Sequence, residues 1–206
     1  LDYGAGNLTS VRLAFERLGV QAVVARTAAE AATADRLVFP GVGSAASGME
    51  GIRARGFDRL LQRAFSEHRP ILGICLGMQL LFDSSAEDGD QQALGLLPGK
   101  VIPFQFSAEQ RIKIPQMGWN AVTFTRPHPV FQGIASGEAF YFVHSYYVSP
   151  ADVSMTCGLT EYAGLEFTSA VSSASLVATQ FHPERSGDCG LQLLNNFLHW
   201  DGTISC

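Results

Sequence analysis

The stretch Pro70-Ile71-Leu72-Gly73-Ile74-Cys75-Leu76-Gly77-Met78 decides the fold. Residues 71–75 carry no charge and no polar alternation, the pattern of a central strand buried on both faces, and Pro70 opens the run. A helix is expected from near Met78, so Cys75 falls where a buried strand turns sharply into a helix. Such a turn pushes a nucleophile clear of the backbone. Gly73 and Gly77 let neighbouring strands and the helix approach without Cβ clashes. The helix N-terminus would bring partial positive charge to the sulfur and favour thiolate. A buried core cysteine is the competing reading of these residues.

Outward from this strand the chain alternates. Residues 1–3 read as the end of a strand, and Leu8, Val11, Phe15 and Leu18 recur at helical spacing until Gly19. Residues 20–25 and 36–39 are short β-branched or apolar runs with an Ala-rich helical stretch between them. Phe57, Leu60, Leu61, Ala64 and Phe65 restore the helical period. Strands alternating with helices imply a parallel sheet, here α/β with helices flanking it. Beyond the acidic loop 86–92 the texture becomes strand-like at 120–124, 139–148 and 176–181, with one closing helix near 191–199. This suggests an added, smaller antiparallel sheet. With neither repeat nor linker, residues 1–206 read as a single domain.

Bulk properties exclude several functions. Apolar residues make up 47% and charged ones 16% of the chain, a globular balance, so function must come from a site. The net charge of −5, with Lys and Arg scattered singly, offers no stripe for a phosphate backbone. Cys75, Cys157, Cys189 and Cys206 form neither a CxxC pair nor a metal-ligand spacing, which points to free thiols in a reducing cytoplasm and to no metal site. No apolar run reaches the roughly 18 residues of a membrane span. The sequence opens without Met inside what reads as a strand, and a few preceding residues are expected.

Two further signals bear on Cys75. The strand 176–181 ends in His182-Pro183-Glu184, where Pro183 should end sheet pairing and hold His182 and Glu184 in an extended relation. Glu184 would steady the imidazole while His182 takes the thiol proton, the division of labour of Cys and Ser triads. A surface turn is the bland alternative. His68, His128 and His199 have no such neighbours and read as structural. Pro40-Gly41-Val42-Gly43, directly after the strand 36–39, presents bare N–H groups. In a parallel sheet this turn and the elbow share the carboxyl edge, so an N–H here and that of Leu76 would hold an oxyanion. A dinucleotide reading of Gly4-Ala5-Gly6 fails, because Thr9 occupies the third fingerprint position.

The Gly73-to-Phe82 segment and Gln180-Phe181-His182-Pro183-Glu184 resemble the two signatures of the triad-type (class I) glutamine amidotransferases, over nearly the whole chain. Asp2-Tyr3-Gly4-Ala5-Gly6-Asn7, Pro40-Gly41-Val42-Gly43, Pro115-Gln116-Met117-Gly118-Trp119-Asn120, Tyr141-Phe142-Val143-His144-Ser145-Tyr146 and Thr160-Glu161-Tyr162 look like the branch that feeds imidazole glycerol phosphate synthesis in histidine biosynthesis. Met78 argues the same way, since several other branches commonly carry His there.

The resemblance implies a flavodoxin-like fold and a heterodimer with a (β/α)8-barrel cyclase subunit, with no metal or organic cofactor. It implies that Gln79 and Glu87 hold the α-carboxylate and α-ammonium of glutamine. Gly43, His144, Ser145 and Tyr146 would line the same pocket, and Val42, Gly43 and Leu76 would form the oxyanion hole. Asn7, Met117, Trp119, Tyr141 and Arg185 would meet the partner, with Trp119 as anchor; a core Trp under the added sheet is the alternative. Partner binding would switch the Val42 N–H. The tail 201–206 matches nothing and is expected to be disordered. Competing readings are the glutaminase of anthranilate or guanylate synthesis, an elbow-Cys stress protein that senses oxidants, and an inactive binding subunit.

Overall fold

The computed structural model describes residues 1–6 and 8–204. The helical period after Asn7 becomes α1 (Leu8–Arg17), with Val11, Ala14 and Phe15 buried. Next come α2 (Ala28–Ala31), capped by the Thr27 hydroxyl, and β1 (Leu37–Gly41). Helix α3 (Ala45–Ala54) was not anticipated. Ser44 caps it by accepting from Ser47 N, and Ala45, Met49 and Ile52 form its buried stripe. Gly48 and Gly51 mask that stripe in the sequence, yet closeness explains them: a Cβ on Gly51 would lie 2.0 Å from the Tyr3 carbonyl oxygen. Helix α4 (Phe57–Ser66) then leads to β2 (Ile71–Cys75) and the single turn α5 (Leu76–Gln79).

The second half holds β3 (Ser84–Ser85), β4 (Gln91–Gln92), β5 (Gly99–Pro103), β6 (Gln116–Ala121), β7 (Thr123–Phe124), β8 (Ala139–His144), β9 (Tyr146–Pro150), β10 (Thr156–Tyr162), β11 (Leu165–Ser173), β12 (Leu176–Thr179) and α6 (Gly187–His199). The expected α/β architecture is present. Strand β2 lies between β1 and β12, parallel to both. The sheet continues from β12 through β11, β9, β5 and β3 to β4, with β10 beside β11, while β6 and β8 form the smaller antiparallel sheet.

Burial of β2 on both faces is complete. Ile71 packs with Phe39, Met49 and Leu61 on one side, and Leu72 and Ile74 pack with Phe15, Phe181 and Phe197 on the other. Fully burying one such side chain contributes about 1.5–3 kcal/mol.

Several expectations fail locally. Among the described residues, 1–3 and 20–25 form no strand, although Leu1 N donates to the Val38 oxygen and Asp2 N to the Ala25 oxygen. The expected strand 139–148 breaks at Ser145 into β8 and β9, which enter different sheets. The tail is not loose at its start: Trp200 Nε1 donates to the Thr203 oxygen at 2.6 Å, and Gly202 is buried. Ser205 and Cys206 lie outside the described residues.

Candidate active site

Register alone assembles the site. Gly41 pairs with Cys75 across β1 and β2, so the turn Val42-Gly43 emerges beside the cysteine. Thr179 pairs with Ile74 on the other side, so Gln180, Phe181 and His182 emerge next to it as well. Three carboxyl ends converge, the usual place for chemistry on a parallel sheet.

Cys75 adopts φ 54° and ψ −111°, a conformation L residues avoid. Burial of its flanks enforces the strain. A Cβ on Gly77 would sit 1.7 Å from the Phe39 oxygen, and one on Gly73 2.9 Å from both the Ala178 methyl and Leu81. Helix α5 begins one residue after Cys75 but has four residues. A macrodipole of that length is slight, so any anion here is served by the first-turn N–H groups themselves, such as that of Leu76, which have no acceptor within the helix.

His182 Nδ1 lies 2.8 Å from Glu184 Oε1, with the His182 and Glu184 side chains 4% and 2% exposed. Pro183–Arg185 forms a 3-10 turn, not the extended segment expected. The turn brings the carboxylate back under the ring. His182 Nε2 has no nitrogen or oxygen partner and lies against Cys75. Burial works against the charged imidazole, but the Cys75 sulfur and the Glu184 carboxylate outweigh it and raise the pKa to about 10. By contrast, burial pushes the Cys157 thiol up to about 12, so it stays protonated. Among the described residues no group of three His, Cys, Asp or Glu side chains could hold a metal ion.

Gly43 has φ +108°, so the turn after β1 depends on glycine there. Val42 is exposed. Under this turn the Tyr3 hydroxyl is buried without a partner, and a Cβ on Gly41 would lie 1.9 Å from it. Glu87 Oε2 accepts from Ala45 N at 2.8 Å, which brings it two residues from Gly43. Burial raises its pKa, and Asp88 adds to this against the Ala45 bond.

Gln79 is buried, and its Nε2 donates both to the Tyr146 oxygen at 2.9 Å and to Gln180 Oε1 at 3.0 Å. Both amide protons are thereby committed, leaving an acceptor oxygen. In this arrangement Gln79 suits an ammonium and not the carboxylate. His144 departs from expectation too. Its ring is enclosed by Phe104, Phe142 and Phe167, and Nδ1 lies 2.7 Å from the Tyr146 oxygen. Burial lowers its pKa to about 4, so it is a neutral support for that carbonyl. Ser145 and Tyr146 are partly exposed beside it.

The face expected to meet a partner adjoins this site. Met117 and Trp119 alternate outward on β6 and are 64% and 57% exposed, which rules out the core-Trp reading. Trp119 pairs with Tyr141 across the small sheet, and the Arg185 guanidinium stacks 4.8 Å from the Tyr141 ring. The Tyr141 oxygen accepts from His182 N, so this face and the base share a backbone bond. Asn7 lies outside the described residues.

Sequence reasoning missed Ser186, whose Oγ donates to the His182 oxygen at 2.6 Å and accepts from Tyr141 N. Its signal was a serine before a helix, which reads as a cap; here it makes no capping bond. Gln180 was noticed only as part of a motif. An apolar cavity of about 420 Å³ between α1, residues 20–25 and β1 includes none of Cys75, His182 or Glu184.

The family described as glutamine amidotransferase class-I matches residues 1–200. The chain belongs to the class-I glutamine amidotransferases. Among its relatives, imidazole glycerol phosphate synthase subunit HisH of Syntrophotalea carbinolica is 46% identical, covering 96% of this chain and 97% of its own. The protein of the same name from Chlorobaculum tepidum is 43% identical over 97% and 98% of the two chains. A crystal structure of a glutamine amidotransferase superposes with a TM-score of 0.74 at 18% identity, covering 97% and 96%. The glutaminase domain of Trypanosoma brucei CTPS with bound acivicin gives 0.61 at 17%, covering 99% and 92%. These two show the fold.

Proposed function

We propose that this chain hydrolyses L-glutamine to glutamate and ammonia through a Cys75 thioester. The ammonia passes to a (β/α)8-barrel cyclase subunit that makes imidazole glycerol phosphate in histidine biosynthesis. The observation that carries the reading is a cysteine held at positive φ against a buried His182–Glu184 pair. Relatives named as one synthase subunit at 43–46% identity support this pathway over anthranilate or guanylate synthesis.

Cys75 attacks the side-chain amide carbon as thiolate, with the proton on His182. The N–H groups of Leu76 and of the Val42-Gly43 turn receive the oxyanion; each such donor is worth about 2.7–4 kcal/mol of barrier. His182 gives its proton to the departing nitrogen, and neutral ammonia leaves. Water then attacks the thioester with His182 as base, and glutamate dissociates. Gln79 Oε1 and Glu87 face the ammonium of the amino acid. Ammonia must stay unprotonated to act as a nucleophile, which gives a partner docked over Met117, Trp119 and Tyr141 its chemical purpose. A free thiol nucleophile fits a reducing cytoplasm.

The test is reconstitution. Mixed with the cyclase subunit, glutamine and the ribonucleotide substrate, the chain should yield imidazole glycerol phosphate, and Cys75→Ala should yield none unless ammonia is supplied. Product from the variant with glutamine alone would sink the assignment.

A further inference from the structure

We propose that Gln180 is a positioning residue that ties the amino-acid-binding side chain Gln79 to the nucleophile, donating its amide N–H to the Cys75 sulfur. This deepens the glutaminase reading and rests on it.

Gln180 is fully buried, one residue past β12, its backbone N–H held by the Ser169 oxygen at 2.8 Å. Its Oε1 accepts from Gln79 Nε2 at 3.0 Å, and its own Nε2 lies 3.7 Å from Cys75 Sγ. The chain of contacts is directional. The Tyr146 carbonyl can only accept, so Gln79 must present its amide nitrogen there. Gln79 then donates to Gln180 Oε1, and Gln180 is left with N–H toward sulfur. Neither amide can flip without breaking this order.

The bond acts on ionisation. A donor N–H favours thiolate, whereas the Val143 oxygen, 3.8 Å from the sulfur, can only accept the S–H and so favours thiol. Gln180 opposes Val143 at the same atom. The titratable neighbours of the sulfur are His182 with Glu184 behind it, and Tyr3 from the N-terminal segment, while His144 on β8 faces His182. Among the described residues the Gln180 side chain hydrogen-bonds to Gln79 and the Cys75 sulfur and to none of these neighbours. A merely structural glutamine would satisfy Gln79 and leave the sulfur unaffected.

The experiment is the pH dependence of Cys75 alkylation by iodoacetamide in the full chain, with Cys75→Ala as the blank for other thiols. Gln180→Met keeps the length and removes the donor. The alkylation midpoint should rise by about one pH unit, the scale of one hydrogen bond to a charged group. Gln180→Leu likewise removes the donor without introducing a charge, and its midpoint should rise by the same amount. It also serves if the Met variant does not fold. Alkylation needs no glutamine turnover, which separates this role from the activity itself. A wild-type chain that hydrolyses glutamine, with either folded variant keeping the wild-type midpoint, overturns the positioning role and leaves the glutaminase reading standing.

Discussion

Cys75 holds a backbone conformation that costs roughly 1–3 kcal/mol in a non-glycine residue, and its φ of 54° is kept by the close packing of Gly73 and Gly77. Replacing it with glycine relieves the strain while deleting the nucleophile. Cys75→Gly should therefore abolish glutamine hydrolysis and raise stability by about 1 kcal/mol. Urea denaturation beside a glutamate-release assay checks both, and a destabilised, inactive variant would mean that the elbow is not strained. Residue chemistry also sorts the thiols. Cys157 is buried and kept neutral, so its loss should leave hydrolysis intact.

At the scale of elements, the site depends on how closely α5 approaches β1. A Cβ on Gly77 would meet the Phe39 carbonyl at 1.7 Å, a backbone atom that cannot swing aside. Gly77→Ala should cost about 3 kcal/mol and displace Cys75 from the turn after β1, lowering turnover as well as stability. Thermal unfolding with wild-type stability would refute the close approach. The small sheet of β6 and β8 behaves oppositely. Trp119 is 57% exposed, so Trp119→Ala should leave stability within about 0.5 kcal/mol and weaken partner association by more than about 2 kcal/mol. Calorimetric titration with the cyclase subunit reads the second number, and unchanged affinity would remove this face from the interface. Because the Tyr141 oxygen holds His182 N, a partner on β8 has a short route to the base.

For the whole molecule, two buried histidines set the acid limit. Burial lowers His128 and His144 to about 4, against 6.5 in the unfolded chain. The unfolded state therefore binds protons first as pH falls. The joint contribution of these two histidines is full above pH 6.5 and is lost as pH drops toward 4, by roughly 3 kcal/mol for each histidine at the limit. His182 works with the opposite sign. Its pKa is raised to about 10, so its contribution is full below 6.5 and fades as pH climbs through 10. Urea midpoints measured from pH 4 to 8 should fall steeply on the acid side, and His128→Phe should halve that slope. A slope unchanged by the substitution would assign the acid limit elsewhere.

Much of this was legible in the chain itself. The uncharged run at residues 71–75, the elbow glycines and His182-Pro183-Glu184 state their chemistry locally, because a strained strand-to-helix turn and a base beside its carboxylate are short-range patterns. The parallel pairing of β1 and β2 followed from alternating periods, whereas 176–181, which the sequence groups with the antiparallel strands, pairs parallel to β2 in the main sheet as β12. Tertiary structure decided what depends on long-range pairing. Residues 20–25 have a strand's composition but find no strand ladder among the described residues, and α3 is hidden by glycines whose reason lies in Tyr3 and Leu80 far away in sequence. The direction of the Gln79 amide, the enclosure of His144 by aromatic rings and the exposure of Trp119 are equally invisible in sequence. Each is settled by which neighbour takes a hydrogen bond or covers a face, and those neighbours are brought together only when the strands close into register.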